Sequence, residues 1–297
     1  MGVELEALVQ KLQSVRAPLN PTVEELRLGW EKFTAELPIP GDVQYKAIDL
    51  SGVPAEWTSS SASRDGPIVL YFHGGGYNIG SVATYRQFVG RLAKACEYPV
   101  ISVEYRLAPE HPFPAAVEDA LTAYRFLLGQ GHSPGDIVLA GDSAGGGLVL
   151  ALMLALKRDG IAQPRAAVLM SPSTDLAKTG GTIVTHQDRD PIIRIDTTNA
   201  FVERYLGPEG DPYDPLASPL YGAHSGLPPL LILVGTEEML LDDSRRLAEF
   251  ATKAGVDVTL EIWDGMFHVW PLFAAILPEG QKALDRMGDY IRGSFGE

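Results

Sequence analysis

At 297 residues, 45% of them hydrophobic and 21% charged, the chain has ordinary globular usage and enough length for a large core, which excludes a disordered or fibrous protein. Its 24 basic and 38 acidic residues give a net charge of −14, a field that opposes binding to nucleic acid phosphates or anionic lipid and suits a neutral or cationic small molecule. The one cysteine, Cys96, can form neither an internal disulfide nor a Cys-rich metal site, and a core helix is its expected place.

The N-terminal Met1-Gly2-Val3-Glu4-Leu5-Glu6 lacks the basic and apolar parts of a secretory signal. No stretch approaches the roughly 20 apolar residues of a membrane span. A cytoplasmic protein, not membrane-bound, is therefore expected. Residues 1–37 read as amphipathic helices, with Leu5, Leu8, Val9 and Leu12 on one stripe and Val23, Leu26, Trp30 and Phe33 on another. Val43 to Leu50 and Ala55 to Thr58 follow as a pair of edge strands.

From residue 66 onward short apolar runs alternate with helical patterns. The strand candidates are Ile68 to His73, Val100 to Tyr105, Ile137 to Gly141, Ala167 to Ser171, Leu230 to Gly235 and Thr259 to Trp263. Helical periodicity fills Tyr85 to Ala95, Ala115 to Leu128, Ala144 to Arg158 and Ser244 to Ala254. Such alternation predicts an α/β fold, a mostly parallel sheet with helices on both faces. Residues 178 to about 222 interrupt it, and an insertion of that length in a compact domain is usually functional. Together with the N-terminal helices it is expected to cover the carboxyl edge of the sheet, where open α/β folds bind ligands; plain packing of those helices on a side face is the alternative.

Gly141-Asp142-Ser143-Ala144-Gly145 fits G-x-S-x-G between an apolar strand and a long apolar helix, the context that motif requires. The flanking glycines permit a sharp turn that lifts the Ser143 hydroxyl clear. The first helix amides, starting with Ala144 N–H, then face the space above it. His73-Gly74-Gly75-Gly76-Tyr77 follows an apolar strand, and three bare residues let backbone N–H groups approach a substrate oxygen. Each oxyanion donor of this kind is worth roughly 3 kcal/mol in the transition state. No phosphate-loop or dinucleotide motif competes for these glycines.

A serine hydroxyl needs a base, and the base needs a carboxylate to orient it. His111 lies in a Pro-rich turn, His132, His186 and His224 in loops or the insertion, and His73 in the glycine loop, where an orienting or structural part suits it. His268, after the last predicted strand, remains. The acid belongs on the loop after the preceding strand, where Glu237, Glu238, Asp242 and Asp243 cluster; helix capping competes for the two aspartates.

These residues resemble the hormone-sensitive lipase family of the α/β-hydrolases, the branch with many microbial carboxylesterases. The resemblance rests on HGGG at 73–76, Tyr105-Arg106-Leu107-Ala108-Pro109-Glu110-His111 with Phe113-Pro114-Ala115-Ala116, GDSAGG at 141–146, and the late histidine. It implies an α/β-hydrolase fold with 1–37 as N-terminal cap helices, 38–177 and 223–297 as the two parts of the core, and 178–222 as the cap insertion. The family pattern of an aspartate followed by Pro-Leu falls on Glu238-Met239-Leu240, so Glu238 takes the acid position, with Asp242 as the other candidate. The same frame makes Gly75, Gly76 and Ala144 the oxyanion donors.

The implied activity is a serine carboxylesterase acting on small, short-acyl esters through an acyl-enzyme, without metal or organic cofactor. An amidase or deacetylase would use the same residues. Plant gibberellin receptors resemble the family yet bind without hydrolysing; retention of His268 favours an enzyme. The Thr259 to Trp263 edge is the expected seam of a homodimer.

Overall fold

The computed structural model describes residues 2–15 and 21–296. Eight strands form one sheet: β1 (Val43–Asp49), β2 (Pro54–Ser60), β3 (Ile68–Phe72), β4 (Val100–Val103), β5 (Ile137–Asp142), β6 (Ala166–Met170), β7 (Leu230–Gly235) and β8 (Val258–Trp263). Their order is β1-β2-β4-β3-β5-β6-β7-β8. The β1/β2 and β2/β4 pairs are antiparallel and the others parallel.

Residues of the central strands are apolar on both faces because helices cover both. Ile68, Leu70 and Phe72 of β3, with Ile137 and Leu139 of β5, pack among α4 (Ala115–Gly129), α5 (Ala144–Arg158) and α8 (Leu241–Lys253). The alternate residues Val69, Tyr71, Val138 and Ala140 face α3 (Val82–Cys96) and α9 (Pro278–Ser294). Cys96 ends α3, fully buried.

Helix α9 lies outside the segments predicted as helical, although its Leu284, Met287 and Ile291 recur at helical spacing and are buried. Helical periodicity predicts a start for α8 at Ser244. The helix starts at Leu241, so Asp242 and Asp243 of the acidic cluster lie in its first turn and the loop after β7 is shorter than that cluster suggests. Beyond Phe72 and Val103 the chain leaves the sheet, so the strands stop short of His73 and Tyr105.

The N-terminal segment divides its work. Leu5, Leu8 and Leu12 of α1 (Val3–Ser14) join the core beneath α3 and α9, which is side-face packing. Helix α2 (Val23–Ala35) instead sends Arg27 to the loops beyond β3 and β4, donating to Asn78 O at 2.9 Å, Ala108 O at 3.0 Å and both Glu110 oxygens at 2.7 and 2.8 Å. Between β6 and β7 lie α6 (Thr182–Thr185) and α7 (Ile195–Leu206). Among the described residues no helix is long and apolar enough to cross a membrane.

Strand order reverses at β3: the chain moves outward to β4, then returns to β5 on the other side. Open α/β sheets place their ligand crevice at such a switch point. Phe72 and Gly141 sit opposite each other in the β3/β5 ladder, so the glycine loop and the Ser143 turn leave the sheet side by side.

Candidate active site

Ser143 occupies the turn between β5 and α5 with φ 51° and ψ −120°, a conformation that costs a non-glycine residue about 1–3 kcal/mol. The surroundings hold it there: its N–H donates to Met170 O at 2.8 Å, and its carbonyl accepts from Ser173 N at 2.9 Å. Glycine is required on both sides. A Cβ at Gly145 would lie 2.0 Å from Phe72 O, and one at Gly141 would lie 2.5 Å from Gly145 O. Although Ser143 stands at the N-cap of α5, its side chain caps nothing, and the hydroxyl is left for another partner.

That partner is His268, whose Nε2 lies 2.9 Å from Ser143 Oγ. Its Nδ1 lies 3.0 Å from Glu238 Oε2. With Nδ1–H donating to the carboxylate, Nε2 is the acceptor that a hydroxyl proton requires. The other Glu238 oxygen accepts from Ser171 Oγ at 2.7 Å and from Gly235 N at 2.6 Å. Ser171 Oγ in turn accepts Val269 N at 3.1 Å. Ser171 and Val269 both have positive φ, 48° and 51°, so strained backbone clusters around this relay as it does at Ser143. Burial disfavours the His268 imidazolium, but the Glu238 hydrogen bond and charge, with Asp190 and Asp142 beyond, outweigh it and raise its pKa above the ordinary histidine value.

The other acidic candidates are engaged elsewhere. Glu237 pairs with Arg189, Nε to Oε2 at 2.7 Å. Asp242 accepts Thr182 N at 3.0 Å, and buried Asp243 accepts Thr174 N and Asp175 N at 2.8 and 3.0 Å. Neither aspartate caps α8, whose N-cap is Leu240 without a side-chain bond. Of the remaining histidines, His224 Nε2 lies 2.8 Å from Pro219 O and His186 Nδ1 lies 2.8 Å from Thr185 Oγ1.

The glycine loop is anchored by a group the motif reading treats only as a spacer. Asp142 is buried, and its Oδ1 accepts Gly74 N at 2.8 Å and Tyr71 OH at 2.6 Å, while Oδ2 accepts Tyr85 OH at 2.9 Å. Burial pushes this carboxyl up to about 6, against the pull of those bonds. His73 is also buried: it stacks on Tyr105 with centroids 4.4 Å apart, and its Nδ1 donates to Gly74 O at 2.8 Å. Burial pushes its pKa down to about 4, so the ring is neutral and structural.

Gly75 and Gly76 have φ of 109° and 60°, values that glycine adopts freely. A Cβ at Gly75 would meet Ile79 O at 2.2 Å, and one at Gly76 would meet the Phe201 ring at 2.2 Å. Among the described residues no hydrogen bond occupies the amides of Gly75, Gly76 or Ala144, and all three lie in the segments just beyond β3 and β5. Ser171 and Asp142 are the residues that motif reading misses. A serine at the carboxyl end of the strand beside β5, and an acidic residue inside an otherwise apolar turn, are the signals that mark them.

A family described as alpha/beta hydrolase fold matches residues 69–272. An acetyl-hydrolase of Streptomyces hygroscopicus is 43% identical over 99% of this chain and 98% of its own length. A crystallised esterase from the bacterial hormone-sensitive lipase family superposes with a TM-score of 0.96 at 44% identity, covering 99% of each chain. This chain belongs to the hormone-sensitive lipase family of α/β-hydrolases. A second structure, of EstE5 soaked with p-nitrophenyl butyrate, matches this family member with a TM-score of 0.96 and 40% identity over 100% of both chains.

Proposed function

We propose that the protein is a serine carboxylesterase in which Ser143 attacks the ester carbonyl while His268 takes its proton. Glu238 holds the histidine tautomer and balances the imidazolium, and the amides of Gly75, Gly76 and Ala144 receive the oxyanion. His268 then protonates the departing alcohol, and water repeats the sequence on the acyl-enzyme. The observation that carries this reading is the relay Ser143 Oγ, His268 Nε2/Nδ1, Glu238 Oε2 at 2.9 and 3.0 Å, beside three unoccupied amides. A binding protein of this fold would have no use for a histidine aligned between the two.

In this reading α1 packs on the side face, while 178–222 with α2 of the N-terminal segment 1–37 makes the cap. Arg27 and Phe201 support it, since both reach the loop that carries the oxyanion donors. The Phe201 ring lies against Gly76 and limits the room for an acyl chain. Short acyl groups are therefore the proposed substrates, in keeping with a relative named acetyl-hydrolase. Rates on p-nitrophenyl esters of graded acyl length test this: kcat/KM should peak at acetate or butyrate and fall at longer chains, and Phe201→Ala should move the peak to longer chains. An anilide of the preferred acyl group, assayed alongside, should be cleaved far more slowly; comparable rates would favour the amidase reading. Cytoplasmic residence, which cell fractionation tests, and pairing of two copies along the exposed edge strand β8, which sedimentation tests, complete the proposal.

A further inference from the structure

The insertion between β6 and β7 makes a set of bonds that a lid over substrate would not need. Thr182 Oγ1 donates to Met239 O at 2.9 Å and accepts Asp242 N at 3.0 Å. Thr182 N donates to Asp242 Oδ2 at 3.0 Å. Arg189 pairs with Glu237. Asp190, fully buried, accepts Met239 N with Oδ2 at 3.2 Å, and accepts Ile192 N and Ile193 N with Oδ1 at 2.9 and 3.1 Å. The residues on both sides of Glu238 are thus held by the insertion, and both polar groups of the Met239 backbone end on it.

The chemistry explains why a carboxylate stands there. Met239 is buried, and a buried N–H without an acceptor costs about 1–3 kcal/mol. Where a proline follows the acid no such donor exists; here Met239 supplies one and Asp190 meets it. The Asp190 carboxylate is held rigid by the two amides of its own turn on Oδ1, so its Oδ2 fixes the Met239 peptide and, through it, the Glu238 backbone.

We propose that Asp190 is a positioning residue for the acid of the triad, and that the 182–190 part of the insertion serves as a clamp on the Glu238 loop in addition to covering the site. This rests on the assignment of Glu238 made above. Asp190 does not touch the substrate; it acts through Met239 and Glu238. Burial pushes its carboxyl up to about 6 against the pull of the His268 charge, with Glu238 adding to the rise, so it lies within electrostatic reach of the pair it positions.

The test is a double-mutant cycle on kcat with a short p-nitrophenyl ester at neutral pH. Asp190→Asn presents one oxygen and one NH2 to three amide donors, so one side of the clamp must open. It should lower kcat about tenfold to a hundredfold, the cost of a misplaced catalytic group, with KM within about twofold. In a Glu238→Gln background the same substitution should lower kcat no further, since there is no carboxylate left to position. A structural role alone would multiply the two losses. Should Asp190→Asn not fold, as thermal melting shows, Thr182→Val cuts the other side of the clamp and enters the same cycle. Wild-type kcat in the folded variant, or losses that multiply, overturns the inference. If Glu238→Gln is itself harmless, the assignment of the acid fails instead.

Discussion

The Asp142 carboxylate accepts the Gly74 amide at 2.8 Å, so the residue before Ser143 fixes the start of the loop that carries two of the three proposed oxyanion donors. Turn and loop leave different strands, and this bond sets their spacing. Asp142→Asn should therefore lower kcat by roughly tenfold to a hundredfold, less than the 10²–10³ of deleting an oxyanion donor outright. KM and the Ser143 labelling site should stay as they are. Steady-state kinetics and organophosphate labelling on the purified variant read both; unchanged kcat would show that Gly74 needs no such anchor.

Ser143→Ala should abolish ester cleavage and leave the fold intact. It removes one hydroxyl and fills no space, and the φ of 51° is imposed by bonds to backbone groups that alanine keeps. Activity and thermal unfolding are measured on the same sample. Turnover near wild type in a folded variant, or organophosphate label on another residue, would remove Ser143 from the mechanism.

Glu238→Gln and Asp242→Asn should separate cleanly. The first loses the charge facing His268 and should cost orders of magnitude in kcat, about 10⁴ in the triad whose acid-to-amide change is best known. Asp242 bonds the insertion instead, and its amide variant should stay within about fivefold of wild type. The reverse ranking would shift the acid by four residues.

Because His268 must be neutral to accept the proton, and its pKa is raised above the ordinary value of about 6.5, the acid limb of kcat/KM should lie above that of a free histidine. Below the limb activity falls about tenfold per pH unit, and above it a plateau extends to alkaline pH. The groups that set the limb are Glu238, then Asp190 and Asp142. Glu238→Gln removes the largest favourable one and should move the limb to lower pH. A profile from pH 5 to 9, with and without EDTA, decides the matter: activity flat to pH 5, or lost on chelation, argues against His268 as the base.

Much of this arrangement is legible before any coordinates. Val100, Ile137 and Leu230 begin apolar runs of strand length, and G-x-S-x-G at a strand-to-helix junction has few other uses. Glu238 is less so, because residue type alone leaves four acids, and only the hydrogen bonds distribute them among His268, Arg189, Thr182 and Thr174. Ser171 shows only as a serine at a strand end, since the Glu238 it serves lies 67 residues on, and Asp190 is invisible, because its contact with Met239 spans 49 residues and no local pattern encodes it. Helix α9 is a different case: its spacing is readable, but it lies beyond the last motif.

The glycines around Ser143 carry one more consequence. At 145 an added methyl carbon would fall 2.0 Å from Phe72 O, at 147 it would fall 2.2 Å from Ser173 O, and at 74 it would fall 2.3 Å from Asp142 Oδ2. The obstacle at 145 and 147 is backbone, which cannot step aside. In a library of random variants these positions would be almost empty of survivors, while the strands beneath, where one aliphatic side chain can stand in for another, would accept many. A map of tolerated substitutions would therefore draw the outline of the catalytic turn from survival alone.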